Sequence, residues 1–297
     1  MIEGAYTAII TPFTSTGAID TGALKNLVDS QIAAGIDGLV PTGTTGESPT
    51  LSTAEHHEVV RLVVEYADGR VPTIAGCGSN NTAEALELTK QAKAHGAAAT
   101  LHVAGYYNKP SAAGYLRHYL AVADQIDLPL IVYNIPGRTG KNIENETMLK
   151  LAEHPNIVGV KEASGDMGQI MDLIMRRPDG FTVLSGDDNL TFAMMALGGN
   201  GVISVTSNLV PERMVAMVER MRAGDMAGCR AIHYELLPLM GALMGLDTNP
   251  IPIKAALHLA GRIEEVYRLP MVPLASQAKA RLQEVLAGYG IGPGSDA

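Results

Sequence analysis

The sequence predicts an α/β protein, a (β/α)8 TIM barrel with a C-terminal helical extension. Short apolar segments recur about every 20 to 35 residues, the spacing of repeated strand and helix units, and segments with helical periodicity lie between them. Most apolar segments do not alternate with polar residues, as expected for parallel strands that are covered on both faces. A chain of 297 residues that is 46% hydrophobic is long and apolar enough for one such barrel.

Eight apolar segments are predicted to be strands: Tyr6–Ile10, Gly38–Val40, Thr73–Ala75, Ala97–Val103, Leu128–Tyr133, Ile157–Val160, Thr182–Leu184 and Gly201–Val205. The first helices between them are predicted over Thr21–Ala34, Thr53–Ala67, Thr82–His95 and Tyr115–Gln125. Asp20, Ser52 and Asn81 precede three of these helices as N-cap residues. Glu55 and Glu84 follow Ser52 and Asn81 by three positions, which is the spacing of a capping box.

An open, doubly wound sheet is the rival architecture, and it usually carries a glycine fingerprint after its first strand. Here the first strand is followed by Thr11–Thr14, which is no such fingerprint. Gly76–Gly78 after the third strand also fails, because the third glycine is replaced by Asn81. The sequence therefore favours the barrel.

No strand is predicted beyond Pro211, where helical patterns occupy Glu212–Arg222, Asp225–Met244, Ile251–Leu259 and Pro273–Ala287. We therefore expect three parts: a catalytic barrel over residues 1–225, a C-terminal helical region over 226–291 and a disordered tail over 292–297.

The charge composition excludes several classes of function. Lys and Arg total 22 against 31 Asp and Glu, and the net charge of −9 disfavours binding to nucleic acid or to an anionic membrane. No apolar run approaches the ~20 residues of a membrane span, and Met1–Gly4 is not the start of a signal peptide. Cys77 and Cys229 are expected to be buried thiols rather than a disulfide. These features predict a cytoplasmic protein.

Barrel active sites lie at the carboxyl ends of the strands, so the residues there are the candidates for chemistry. The turn Gly43–Glu47 follows the second strand and offers the hydroxyls of Thr44 and Thr45 together with backbone N–H groups. Such a turn can bind a carboxylate, although it can equally be a capping turn before the next helix.

The fifth strand leads into a phenol, Tyr133, and a guanidinium, Arg138. Together they offer a proton carrier beside a group that binds planar anions. A phosphate-binding loop over the same stretch is excluded, because its first glycine position is occupied by Ile135.

The sixth strand ends in Lys161. Desolvation at the mouth of a barrel disfavours the ammonium form, and a free amine can form a Schiff base with a ketone or aldehyde. The alternative is a lysine that extends to solvent and pairs with Glu162 or Asp166. With Tyr133 and Arg138 one strand away, the catalytic interpretation is favoured.

No metal site or cofactor is expected. The eight His residues are scattered, and neither an H-E-x-x-H motif nor a Cys–His cluster is present. Asp187-Asp188 after the seventh strand is more simply a solvated loop. A serine nucleophile elbow is absent as well.

Five segments together make the chain resemble the 4-hydroxy-tetrahydrodipicolinate synthase family, also called dihydrodipicolinate synthases. They are Gly43–Glu47, Tyr106–Pro110, Tyr133–Gly140, Lys161–Asp166 and Asn249–Lys254. The resemblance extends from the first strand through Pro270–Pro273. The first and fourth segments are shared with the wider pyruvate-dependent lyase and aldolase superfamily, whereas the other three are more typical of the synthase.

The resemblance implies a mechanism in which Lys161 forms a Schiff base with pyruvate and Tyr133 acts as general acid and base. It further implies that Thr44 and Tyr107 complete a proton relay, with Tyr107 supplied by a neighbouring subunit. A homotetramer, arranged as a dimer of dimers, is expected on the same basis.

The substrate contacts implied by the resemblance involve four residues. Thr45 would bind the carboxylate of pyruvate, and Arg138 would bind the carboxylate of L-aspartate 4-semialdehyde. Gly186 and Ile203 would line the pocket. The product would enter lysine and diaminopimelate biosynthesis.

A feedback site for L-lysine between two subunits is also implied by the resemblance. Its matching residues are Ser48, His56, Asn80, Glu84 and Tyr106. Glu84 would pair with the ammonium group of lysine. Thr53 stands where regulated bacterial members often have histidine, and Pro49 replaces a smaller residue.

The chain departs from the family pattern at Ala104-Gly105, where Thr-Pro usually precedes the paired tyrosines. We expect this glycine to loosen the backbone that presents Tyr106 and Tyr107. Two alternative functions remain: a sister aldolase or lyase acting on a sugar acid or hydroxy-oxo acid, and a non-catalytic barrel. The sisters generally lack an arginine at the position of Arg138, and a non-catalytic barrel would not need Lys161 or Tyr133.

Overall fold

The computed structural model describes residues 2–103 and 105–292. It contains eight parallel strands: β1 Gly4–Thr7, β2 Gly38–Leu39, β3 Ile74–Gly76, β4 Ala99–Val103, β5 Leu130–Asn134, β6 Ile157–Glu162, β7 Thr182–Ser185 and β8 Gly201–Ser204. Their order in the sheet is β2-β1-β8-β7-β6-β5-β4-β3. A parallel bridge between Leu39 and Thr73 joins the two ends, so the strands form a barrel. The predicted fold class is confirmed.

Helices follow the strands and cover the outside of the barrel. They are α1 Thr21–Ala33, α2 Thr53–Ala67, α3 Thr82–Ala94, α4 Ala112–Gln125, α5 Pro136–Thr139, α6 Asn145–Ala152, α7 Met167–Arg176, α8 Thr191–Ala196, α9 Pro211–Arg222, α10 Met226–Gly245, α11 Ile251–Leu259 and α12 Ser276–Ala287. No helix in the described part of the chain is long and apolar enough to cross a membrane.

The strand boundaries differ from the prediction by one to three residues, most clearly in the first, fifth and sixth strands. The first strand ends at Thr7 rather than at residue 10, because the N–H of Ile10 donates to the side chain of Asn208 instead of to a strand. The fifth strand begins two residues later than predicted and ends one residue later, at Asn134, and the sixth continues two residues beyond its predicted end, to Glu162. In β6 the backbone continues its ladder through Lys161 and Glu162, which pair with residues of β5 on one side and β7 on the other.

The predicted N-caps are present, but one capping box is wrong. Ser52 and Glu55 form the complete reciprocal pair at the start of α2. Asn81 accepts from the N–H of Ala83, whereas the Glu84 carboxylate accepts from the hydroxyl of Ser79 instead of returning to the cap. The hydroxyl of Ser79 is therefore the donor to the Glu84 carboxylate, in place of the backbone N–H of Asn81 that a capping box would use.

One buried apolar cluster fills the barrel, since its members come from the strands or from the residues that follow them. They are Tyr6, Ala8, Val40, Ile74, Ala99, Leu101, Ile131, Tyr133, Ala163, Leu184 and Ile203. A second and larger cluster joins α1, α2 and α9 to the C-terminal helices α10, α11 and α12. The expected disordered tail, apart from Gly292, lies outside the described residues. Cys77 and Cys229 are buried free thiols, as predicted.

Candidate active site

The lysine and the phenol identified from the sequence lie side by side at the carboxyl ends of two adjacent strands. Lys161 of β6 is the register partner of Tyr133 of β5. The Nζ atom of Lys161 lies 4.4 Å from the centroid of the Tyr133 ring. Both side chains are buried, with 5% and 6% of their surface exposed. Parallel pairing of neighbouring strands thus brings an amine and a phenol into one enclosed space.

The pKa of the Lys161 amine is lowered to about 8, mainly by burial and to a smaller extent by the positive charge of Arg138. The carboxylates of Asp187 and Asp188 oppose this by raising the pKa. In the described part of the chain Lys161 forms no ion pair, so the alternative of a lysine paired with Glu162 or Asp166 is wrong. Near physiological pH most of this amine is still protonated, but a far larger fraction is neutral than for an ordinary lysine, and the neutral fraction can act as a nucleophile.

The acidic pair after β7 differs from its prediction. Asp188 is 3% exposed, and its Oδ2 accepts hydrogen bonds from the N–H groups of Val205 and Thr206 and from the Thr206 hydroxyl, at 3.1, 2.8 and 2.7 Å. The predicted solvated loop is therefore wrong at this position, because Asp188 links the loops that follow β7 and β8. Burial raises the pKa of the neighbouring Asp187 carboxyl.

Thr44 contacts the phenol of Tyr133. Burial raises the pKa of this phenol well above its ordinary value, while a hydrogen bond with the Thr44 side chain lowers it. At neutral pH the phenol is therefore a proton donor that can pass its proton on only when an acceptor is bound. Thr44 itself is half-buried.

The two predicted anion-binding residues meet at a residue to which the sequence alone assigned no role. The Nδ2 of Asn249 donates to the Oγ1 of Thr45 at 2.9 Å. The guanidinium of Arg138 donates to the main-chain oxygen of Asn249 at 3.0 Å. Asn249 lies in the segment between α10 and α11, so the C-terminal region contributes to the site.

Gly186 lies beside the lysine side chain. A Cβ atom at Gly186 would lie 3.1 Å from the Cε of Lys161 and 2.8 Å from the Cβ of Ala163, so only glycine leaves the lysine side chain unobstructed. Ile203 of β8 is fully buried in the apolar cluster that fills the barrel.

A cavity of about 460 Å³ opens beside the phenol. Its lining includes Thr44, Tyr133 and Arg138 together with four residues of the predicted lysine site, Ser48, His56, Glu84 and Tyr106. The fifth, Asn80, is not part of this lining; its side chain donates to the main-chain oxygen of Tyr106 at 3.2 Å. Burial lowers the pKa of His56, which is therefore a neutral ring against the oxygen of Gly76.

Tyr107 is the one predicted catalytic residue that does not join the others within this chain. Its side chain is 91% exposed, and its backbone has a φ of 67°. Sequence position alone could not place it, since the segment Tyr106–Pro110 projects outward between β4 and α4.

The glycine that precedes the paired tyrosines is closely packed rather than loose. Gly105 has a φ of 76°, and a Cβ atom there would lie 2.5 Å from the Cδ of Pro110 and 2.7 Å from the hydroxyl of Tyr115. Only glycine fits this backbone position without strain. Ala104, the other half of the departure from the family pattern, lies outside the described residues.

The sequence model for the Dihydrodipicolinate synthetase family matches residues 1–288. This chain belongs to that family. A protein of Maridesulfovibrio salexigens named 4-hydroxy-tetrahydrodipicolinate synthase is 51% identical over 290 residues, which cover 97% of this chain and 99% of the relative.

Solved structures agree with the family assignment. The chloride-inhibited dihydrodipicolinate synthase of Acinetobacter baumannii, complexed with pyruvate, superposes with a TM-score of 0.96 at 43% identity and covers 98% of this chain and 100% of its own. The Cyanidioschyzon merolae enzyme with lysine bound gives a TM-score of 0.92 at 40% identity, over 97% of this chain and 98% of its own. The predicted family, fold and lyase activity are confirmed.

Proposed function

We propose that this chain condenses pyruvate with L-aspartate 4-semialdehyde, the reaction of a 4-hydroxy-tetrahydrodipicolinate synthase in lysine and diaminopimelate biosynthesis. Family membership and a relative about half identical over nearly the whole chain support the activity. One observation carries the assignment of the nucleophile: Lys161 is a buried amine with a pKa of about 8 beside the phenol of Tyr133.

Covalent catalysis begins when the Nζ of Lys161 adds to the ketone carbon of pyruvate. The phenol of Tyr133 donates a proton to the oxygen that leaves as water, and an iminium forms. The iminium withdraws electrons from the adjacent methyl group, which loses a proton and becomes the terminal carbon of an enamine. No cofactor is needed, because the lysine itself supplies the electron sink.

Carbon–carbon bond formation follows when the enamine carbon attacks the aldehyde carbon of the second substrate. The aldehyde oxygen takes up a proton, and the iminium is restored. The amine of the second substrate then adds to the iminium carbon and displaces Lys161, which closes the ring and regenerates the free amine. Proximity of the two bound substrates supplies much of the rate.

Two residues bind the substrate carboxylates in this proposal. Thr45 and the N–H groups of its turn hold the carboxylate of pyruvate, and Arg138 holds that of L-aspartate 4-semialdehyde. Gly186 and Ile203 form the wall around the iminium, a role supported by the space that Gly186 leaves at Lys161.

Protons reach the site through a relay from Tyr133 to Thr44 and on to Tyr107 of a second copy of this chain. The near-complete exposure of Tyr107 supports a role outside its own subunit. A homotetramer built from two such dimers is the assembly that we propose, acting in the cytoplasm, where free cysteines such as Cys77 and Cys229 remain reduced. Residues 1–225 act as the catalytic barrel, and residues 226–291 support it.

L-Lysine is proposed to inhibit the enzyme by binding at Ser48, His56, Asn80, Glu84 and Tyr106. Support comes from the cavity that four of these residues share with Thr44 and Tyr133, and from a relative solved with lysine bound. We expect millimolar lysine to inhibit the unmodified chain and Glu84→Gln to weaken that inhibition, since the carboxylate would pair with the lysine ammonium. Glu87→Gln, an exposed position on the same helix, is the control. Activity that does not change in millimolar lysine would contradict this site.

A coupled assay tests the substrate pair. Pyruvate, L-aspartate 4-semialdehyde and an excess of the next reductase of the pathway are mixed with the chain, and consumption of NADPH is followed. We expect turnover that depends on both substrates. A folded chain that gives no turnover here, but cleaves a hydroxy-oxo acid to pyruvate, would instead be a sister aldolase.

A further inference from the structure

Asn249 contacts both proposed anion-binding residues through different atoms. Its side-chain Nδ2 donates to the Oγ1 of Thr45, which lies 204 positions earlier in the chain, at 2.9 Å. Its main-chain oxygen accepts from the guanidinium of Arg138 at 3.0 Å. The side chain is only 5% exposed, so water does not readily replace either contact.

The hydroxyl of Thr45 has a single proton and can accept hydrogen bonds at its oxygen. Because Nδ2 of Asn249 is a donor, this contact occupies an acceptor position and leaves the proton of Thr45 available. A carboxylate only accepts hydrogen bonds. The amide of Asn249 therefore prepares Thr45 to donate to an anion.

The orientation of the amide is consistent with this role. The Oδ1 of Asn249 is buried without a hydrogen-bond partner among the described residues. Exchanging Oδ1 and Nδ2 would place the NH2 group in that unpartnered position, and buried N–H groups without partners are rarer than unsatisfied carbonyl oxygens. The exchange would also make Oδ1 accept the proton of Thr45.

We propose that Asn249 is a positioning residue that directs the hydroxyl proton of Thr45 towards the carboxylate of pyruvate. This inference rests on the proposed function, in which Thr45 binds that carboxylate. Arg138 contacts the main-chain oxygen of Asn249, which a side-chain substitution retains. Changes to the Asn249 side chain should therefore affect the KM for pyruvate more than the KM for L-aspartate 4-semialdehyde.

Steady-state kinetics of two Asn249 variants test the proposal. Asn249→Ala removes the donor, and we expect the KM for pyruvate to rise about tenfold. The KM for L-aspartate 4-semialdehyde stays within about twofold, because the main-chain oxygen is retained. Asn249→Asp has the same shape but accepts the proton of Thr45 and adds a negative charge, so the KM for pyruvate rises about a hundredfold. Equal increases for both substrates, or an Asp variant no worse than the Ala variant, would overturn the proposal.

A double-mutant cycle shows whether Asn249 acts through Thr45. In a Thr45→Ala background, Asn249→Ala is expected to cause no further rise in the KM for pyruvate. If the double variant instead raised the KM for pyruvate by the product of the two single-variant increases, Asn249 would act independently of Thr45 and the proposal would be wrong.

Tyr267→Phe is the matched control, because it removes a hydrogen bond at the end of the segment between α10 and α11 without changing Asn249. The Tyr267 hydroxyl donates to the main-chain oxygen of Ile251 at 3.1 Å and touches neither Thr45 nor Arg138. Both KM values are expected to remain unchanged in this variant. A rise in the KM for pyruvate equal to that of Asn249→Ala would overturn the proposal. Absence of turnover in the unmodified chain would instead refute the proposed function, so the two failures are distinguishable.

Discussion

Lys254 of α11 forms an ion pair with Glu47, the last residue of the turn that holds Thr44 and Thr45. The two side chains are 0% and 1% exposed, and the Nζ of Lys254 also lies 4.3 Å from the centroid of the Phe13 ring. Burying two charges is costly unless they remain paired. The C-terminal region and the turn are therefore held together by a contact that tolerates the loss of neither partner.

Lys254→Met is expected to lower the free energy of unfolding by about 3 to 5 kcal/mol, because it leaves the Glu47 carboxylate buried without its ion-pair partner. Denaturant unfolding at a fixed protein concentration measures the change. Arg281→Met removes the cation of an exposed pair with Glu284, with both side chains more than half exposed, and should change stability by less than about 0.5 kcal/mol. Similar losses in the two variants would show that burial of the Lys254 pair has no special effect.

The reaction of Lys161 with pyruvate is expected to depend on pH with a midpoint of about 8. Below the midpoint the ammonium form predominates and cannot attack, so the initial rate of borohydride-trapped adduct formation rises as the pH rises and then levels off. Asp187→Asn removes a negative charge that raises the pKa of Lys161, so the midpoint moves to lower pH. Asp179→Asn, an exposed loop position, should leave it in place. A midpoint that moves upward in Asp187→Asn would contradict the electrostatics described above.

Tyr133→Phe removes the phenol and keeps the ring against Lys161. The maximal rate is expected to fall about a hundredfold or more, because proton transfer during iminium formation and carbon–carbon coupling loses its donor. Thr44→Val should cause a smaller loss, since it removes one step of the proposed relay and the hydrogen bond that lowers the pKa of the phenol but keeps the phenol itself. Stopped-flow or quenched measurements of a single turnover separate these steps from product release. An unimpaired single-turnover rate in Tyr133→Phe would exclude the phenol as the acid and base.

Arg138→Ala is expected to raise the KM for L-aspartate 4-semialdehyde by about a hundredfold, because a charge-assisted bidentate contact is lost. The pyruvate adduct should still form, since the guanidinium is not required for attack by Lys161. Arg138→Lys should recover only part of the loss, because an ammonium group cannot reproduce the planar fork. Equal losses for both substrates would indicate that Arg138 mainly stabilises the loop through its contact with Asn249.

The barrel could be predicted because its signal is periodic and local. Each strand is a short, mostly apolar run, and several helices begin at a side-chain N-cap. The position of Lys161 beside Tyr133 could also be predicted, since residues at the carboxyl ends of adjacent parallel strands are neighbours in any such barrel. The exact length of β6 was missed because Lys161 and Glu162 are charged, although both are buried and paired in the sheet.

Contacts between distant segments could not be predicted from local pattern. Asn249 reaches Thr45 only because α10 and α11 return to the carboxyl face of the barrel. Asp188 resembles a loop carboxylate in the sequence, and its burial depends on backbone donors that follow β8. Tyr107 is 91% exposed, so the role that we propose for it requires a second copy of the chain.

Mapping of the pyruvate adduct tests the central claim, that Lys161 is the nucleophile, most directly. The chain is incubated with pyruvate, reduced with borohydride and digested, and the modified peptide is identified by mass spectrometry. Our account predicts a single adduct, on Lys161, that is absent from a folded Lys161→Ala variant whose coupled activity is also lost. An adduct on another lysine, or undiminished turnover in Lys161→Ala, would contradict it.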